Sequence, residues 1–208
     1  MPSIDQAREY YAGADPVHAF DHILRVLALA ERIARAEGGD LEIVRAAVLL
    51  HDAAGAAPGA RAGHHEAAAD FARGVLQAEG WPEERIEAVA HCVRAHRFRG
   101  TEPPRTLEAQ VLFDADKLDV LGAIGAARTV AFAALAGQPL TGEVSERFRV
   151  TGEKEPGEAH TPYHEFLFKL VRIKDRLYTS TARAIAAERH EYLAGFFERL
   201  GREAAGEL

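Results

Sequence analysis

Asparagine is absent from this 208-residue sequence, and cysteine, methionine and tryptophan occur once each. A single cysteine, Cys92, excludes an intrachain disulfide and is what a reducing compartment leads one to expect. It sits inside a helical run and reads as packing rather than chemistry. Long apolar runs are lacking too. A membrane-spanning helix needs about 20 apolar residues, and the longest stretch of that kind, Leu118 to Leu135, is interrupted by Asp119 and Arg128. Met1-Pro2-Ser3-Ile4-Asp5 has neither the basic nor the apolar region of a signal peptide, so the expected setting is cytoplasmic. Positive charge is not in excess: the formal net charge is -7 and the pI is near 5.8. Neither nucleic acid nor a membrane is therefore an expected partner. Alternating Val, Ile and Thr are scarce, which argues against a sheet.

What is present is helical. Hydrophobic residues make up 48% of the chain and charged ones 27%, enough for a real core under an ordinary surface. Alanine is abundant, and Gly and Pro cluster between periodic segments. The expected fold is a single all-α domain, a helical bundle over residues 1–208. Asp15-Pro16 predicts a cap and first helical position. The helix it opens carries an inner stripe of Ile23, Val26, Leu27, Ala30 and Ile33 and stops at Gly38-Gly39. Asp40 caps the next, from Leu41 to about Asp52. After an Ala/Gly/Pro loop over 53–63, helices are expected from His64 to Ala78 and from Pro82 to about His96. Thr106 caps a long helix predicted to run unbroken to Gly137. Residues 138–161 are irregular and read as a functional loop or lid. Pro162 starts a helix that continues through Leu170 and Ile173, and a last helix spans Ser180 to Glu203.

Four polar residues are not explained by their apolar helical context: His22, His51, Asp52 and Asp116. The run Ala46-Ala47-Val48-Leu49-Leu50 delivers His51-Asp52 just where the helix signal fails, and both side chains are costly to bury without a partner. Imidazole and carboxylate together, without thiolate, suit Mn²⁺, Fe²⁺, Co²⁺, Ni²⁺ or Zn²⁺. Ligands drawn from separate helices are how bundles build interior metal sites. A bound divalent ion lowers the pKa of water from about 15.7 toward about 7 and offsets charge on a phosphoryl oxygen. Cations for a phosphate group are at hand: Arg25, His64, His65, His96 with Arg97, and Lys117. His18, one turn before His22, is a further substrate-side candidate.

The segments His18-Ala19-Phe20-Asp21-His22-Ile23-Leu24-Arg25-Val26, Leu49-Leu50-His51-Asp52 and Asp114-Ala115-Asp116-Lys117-Leu118-Asp119 resemble the HD-domain superfamily of metal-dependent phosphohydrolases. Arg94-Ala95-His96-Arg97-Phe98 and Leu121-Gly122-Ala123-Ile124-Gly125-Ala126-Ala127-Arg128 resemble a subfamily of small single-domain bacterial and archaeal HD hydrolases. The likeness spans roughly residues 15 to 200. It implies an HD-type fold with one divalent ion (Mn, Co, Ni, Fe, Zn or Mg) held by His22, His51, Asp52 and Asp116. It also implies a phosphate-containing substrate such as a nucleotide, since some relatives are nucleoside triphosphate pyrophosphohydrolases. Several HD enzymes carry an acidic residue or Lys soon after the His-Asp pair. Here that stretch is Ala53-Ala54-Gly55-Ala56-Ala57, so an acid/base role would fall to His64, His65 or Asp119, beside the catalytic Asp52. Two other readings stand beside hydrolysis. One is a di-iron HD-like oxygenase, which needs additional histidine ligands; the other is a non-catalytic nucleotide sensor.

Overall fold

The computed structural model describes residues 1–12, 20–53, 64–98 and 100–208, with the side chain of His64 outside that set. Its helices are α1 (Ile4–Glu9), α2 (Phe20–Glu37), α3 (Leu41–Leu50), α4 (His64–Ala78), α5 (Glu83–Ala95), α6 (Leu107–Leu118), α7 (Gly122–Leu135), α8 (Glu146–Thr151), α9 (Pro162–Phe168) and α10 (Ser180–Ala204). A 3-10 helix covers Leu170–Arg176, and no strand occurs among the described residues. The all-α expectation holds. No single helix among the described residues is long and apolar enough to cross a membrane.

The chain divides into two compact units. The first comprises Met1–Leu118 and Leu177–Ala182. Its centre is formed where α2 packs on α3 and α6, and α5 packs on α3, α4 and α6. The stripe read from α2 is buried as expected: Ile23, Val26, Ala30 and Ile33 are fully inaccessible. Asp40 caps α3 by accepting from the backbone N–H groups of Glu42 and Ile43 at 2.9 and 3.2 Å. Thr106 caps α6 through the N–H of Ala109 at 3.2 Å. A capping box between Ser3 and Gln6 starts α1, which the sequence reading did not anticipate. The proposed Asp15-Pro16 cap and most of the 53–63 loop lie outside the described residues.

The second unit comprises Asp119–Arg176 and Arg183–Leu208. Here α9 packs against α7, α8 and the 3-10 helix. Phe166 stacks on Phe197 of α10, with ring centroids 4.8 Å apart.

Two expectations are corrected. The helix expected to run unbroken from Thr106 to Gly137 is interrupted at residues 119–121. Leu121 is extended and Gly122 has φ +69°, a left-handed conformation that no α-helix continues through. Gly125 completes the break, because a Cβ there would fall on the carbonyl oxygen of Val120. The helix from Pro162 stops at Phe168 and resumes as the tighter 3-10 form rather than continuing through Ile173. The irregular segment 138–161 also contains a short helix, α8, capped by Ser145 and closed by Gly152 at φ +76°.

That segment is pinned by one carboxylate. Glu158 accepts from the backbone N–H and hydroxyl of Ser145 at 2.8 and 2.7 Å, and from the N–H of Glu155 at 2.6 Å. Its Oε1 is also 2.9 Å from Nε2 of the fully buried His164. The Ser145 donor and the other hydrogen bonds outweigh desolvation and hold the Glu158 carboxyl at about 2, below the usual 4.5.

Two predictions follow from this packing. Gly125→Ala forces the Val120 carbonyl to move and should cost about 3 kcal/mol or more, whereas Gly74→Ala, on an open helical surface, should be neutral or stabilise by up to about 1 kcal/mol. Urea unfolding of both variants checks the contrast. A depressed folded pKa gives Glu158 a contribution that is complete above pH about 4.5 and disappears as pH falls toward 2. Pepsin cleavage within 138–161, normalised to an unfolded substrate, should therefore accelerate across that window in the wild type, while Glu158→Gln should be cut quickly throughout.

Candidate metal centre

Three elements of the first unit bring the ordered set together. His22 lies in the first turn of α2, His51 and Asp52 follow the last residue of α3, and Asp116 lies in the last turn of α6. One ligating atom from each of His22, His51 and Asp52 lies within 4.8 Å of the others. Asp116 lies beside this group rather than within it, with its Oδ1 3.5 Å from His22 Nε2. Donors sit about 2.0–2.2 Å from a divalent ion, so opposed ligands stand about 4 Å apart. The spacing of His22, His51 and Asp52 is close to what one cation requires.

The chemistry of the donors fits as well. His51 is the C-cap of α3, and its Nδ1 is 2.8 Å from the Val48 carbonyl, which can only accept. The proton therefore resides on Nδ1, leaving the Nε2 lone pair to face the cluster. His51 is fully buried, and Nε2 has no hydrogen-bond partner among the described residues; the nearest Asp52 oxygen is 3.6 Å away. A buried lone pair without a donor is costly in a folded protein and is what a ligand atom looks like without its ion.

Both carboxyls are tuned toward the anion. Burial would raise Asp52, but His51, His96 and His22 hold it well below the usual carboxylate range. Burial likewise opposes ionisation of Asp116, and Lys117 followed by the same histidines overcomes it. The Lys117 ammonium is in direct contact with Asp116 Oδ2.

The structure adds two groups whose part the sequence did not reveal. His96, read as a substrate-side residue with Arg97, is 3% exposed and turned inward. Its ring is 5.0 Å from that of His51, and its Nε2 is 3.5 Å from Asp52 Oδ1. It is the C-cap of α5 and bonds the Val93 carbonyl through Nδ1, repeating the arrangement of His51. Burial keeps its pKa below the ordinary value. Tyr11 lies beneath the His-Asp turn. Its hydroxyl donates to the Leu49 carbonyl at 3.1 Å and accepts from the Asp52 backbone N–H. Burial, then the Asp52 charge, pushes the phenol well above its usual pKa.

The remaining candidates are placed as follows. Arg25 is ion-paired with the exposed Asp21 at 2.6 Å, one turn away on α2. Arg97 is half-buried beside His96. His65 is the second residue of α4, half-buried and outside the converging ligand set. Asp119 lies past the end of α6, so the three-residue helical spacing to Asp116 does not apply to it. Its buried carboxylate is held by Arg128 within the second unit. His18 and the side chain of His64 fall outside the described residues.

Comparison with known proteins gives a consistent picture. The HD-domain family model matches residues 19–121, which contain all four of the ligand candidates. The uncharacterized protein YpgQ of Bacillus subtilis is 30% identical over 193 residues, covering 91% of this chain and 85% of that one. The crystal structure of YpgQ in complex with ADP superimposes with a TM-score of 0.72, covering 95% of this chain and 96% of that chain. An HD-superfamily hydrolase from Bacillus thuringiensis is 28% identical with a TM-score of 0.72, over 97% of this chain and 94% of that chain. With its His22, His51-Asp52 and Asp116 set on a helical frame shared along nearly its whole length with these relatives, the chain belongs to the HD-domain superfamily.

Proposed function

We propose that this protein is a divalent-metal-dependent phosphohydrolase acting on a nucleotide or a related phosphate ester or anhydride. The observation that carries the reading is the convergence of His22, His51 and Asp52, with Asp116 beside His22 and the buried Nε2 of His51 without a hydrogen-bond partner among the described residues. Those four residues would hold the ion. A divalent ion in such a setting makes water more acidic and offsets negative charge on a phosphoryl oxygen.

The chain's own residues supply the rest. His96 packs its buried ring against that of His51 with Nε2 3.5 Å from Asp52 Oδ1, and Tyr11 fixes the backbone of the His-Asp turn from below. Arg97, next to His96, and Lys117, next to Asp116, are the cations nearest in sequence to this centre and suit an anionic substrate. ADP bound to YpgQ, a relative of nearly equal length, supports a nucleotide as the substrate class.

The test is a panel of nucleoside and deoxynucleoside triphosphates and diphosphates incubated with Mn²⁺, Co²⁺ or Mg²⁺, with pyrophosphate and orthophosphate assayed separately. Turnover should require added metal, and elemental analysis should find one ion per chain without iron. Asp52→Ala should lower kcat/KM at least about 100-fold while circular dichroism stays helical. Turnover that survives Asp52→Ala, or that proceeds equally well in a chelator, would overturn the proposal.

A further inference from the structure

The centre contains two carboxylates, Asp52 and Asp116, and imidazoles that must be neutral to act as ligands. A full positive charge is in contact with one of these carboxylates: the Lys117 ammonium on Asp116 Oδ2. The contact is unusual in its geometry. Adjacent helical residues point about 100° apart, so the lysine stem must fold back along α6 to reach its neighbour. Ordering a long flexible side chain costs conformational freedom. What offsets that cost is the burial of both partners, with side chains only 13% and 14% exposed. At that depth an uncompensated carboxylate is strongly disfavoured.

Lys117 also has a second place to rest. Its ammonium lies 5.5 Å from the ring centroid of Phe113, one turn earlier on α6. That ring is itself fixed, stacked near Phe98 at 6.5 Å and edge-on to Tyr178 at 5.2 Å. An aromatic face within about 6 Å holds a cation favourably.

We infer that Lys117 is the resident counter-cation of the metal-free centre, neutralising Asp116 until a divalent ion enters and then withdrawing from that carboxylate. This rests on the metal reading above. A divalent ion and an ammonium on the same carboxylate repel one another over a few ångströms of low-dielectric interior. The ion carries the larger charge and has more donors, so the lysine moves, with the Phe113 face beside it. Metal binding is then measured against a broken Lys117–Asp116 pair. The ammonium released in this way becomes available to an anionic ligand only once the metal is in place, which orders the two binding events.

The experiment compares Mn²⁺ affinity by titration calorimetry in the wild type, Lys117→Met, Lys117→Arg and Asp116→Ala, with the thermal midpoint of each measured with and without metal. Lys117→Met keeps the stem and removes the charge. Its Mn²⁺ dissociation constant should be at least about tenfold tighter than wild type, with a lower metal-free midpoint and a larger rise on loading. Lys117→Arg should bind within about threefold of wild type. A Lys117→Met variant that binds Mn²⁺ no more tightly than wild type overturns the inference. A further measurement on the wild type does not depend on how the variants fold. The ¹³Cε resonance of Lys117, assigned by its loss in Lys117→Arg, should shift and sharpen on titration with Mg²⁺ or Zn²⁺; a resonance unmoved at saturation also overturns it. Failure of the underlying metal reading looks different: neither wild type nor Asp116→Ala would then bind any divalent ion.

Discussion

The structure of the first unit depends on one constraint: two carboxylates and three imidazoles are packed together where water cannot fully solvate them. Burying an ionised carboxylate costs several kcal/mol unless other groups compensate. The helices meet this cost with contacts behind the donors. His51 and His96 are both C-caps, the position where a helix runs out of N–H partners for its last carbonyls. Each imidazole donates its Nδ1 proton to the carbonyl three residues earlier, Val48 or Val93. A single hydrogen bond thus satisfies an orphaned backbone acceptor, fixes the tautomer and aims Nε2 into the centre.

Much of this frame was legible before any coordinates. The stripe of α2, the caps at Asp40 and Thr106, and the ends of α4 and α5 follow from periodicity and capping chemistry, because those signals are local. The candidate set at the centre stood out for a different reason. Polar residues on otherwise apolar helical faces need an explanation, and His22, His51-Asp52 and Asp116 share one. The break between α6 and α7 was hidden because Leu118 to Leu135 carries only two charged residues, Asp119 and Arg128, and its two glycines, Gly122 and Gly125, are each tolerable inside a helical run. It is decided by the left-handed Gly122 and by the close approach of the Val120 carbonyl to Gly125, neither of which leaves a mark in composition. His96 and Tyr11 were missed as parts of the centre for a related reason. Their direction depends on how α5 and α1 rest against α3, and contacts of that range have no periodicity to read.

Asp114 and Asp116 show how one helix separates structural from chemical duty. Two residues apart on α6, they point to nearly opposite sides, because two helical steps turn the side chain through about 200°. Asp114 is fully buried, and its oxygens accept from the N–H of Tyr178 at 2.9 Å and from the N–H and hydroxyl of Thr179, both at 2.7 Å. A carboxylate engaged by three donors has most of its lone-pair sites occupied and serves as an anchor for the segment that supplies them. Those same bonds hold the Leu177–Ala182 segment in the first unit and fix the rotation of α6 about its own axis. Asp116 inherits its aim from that rotation. A side chain on a helix locked from its far side is aimed before any cation arrives, and on the inference drawn above the movement that metal binding would require is left to the flexible side chain of Lys117.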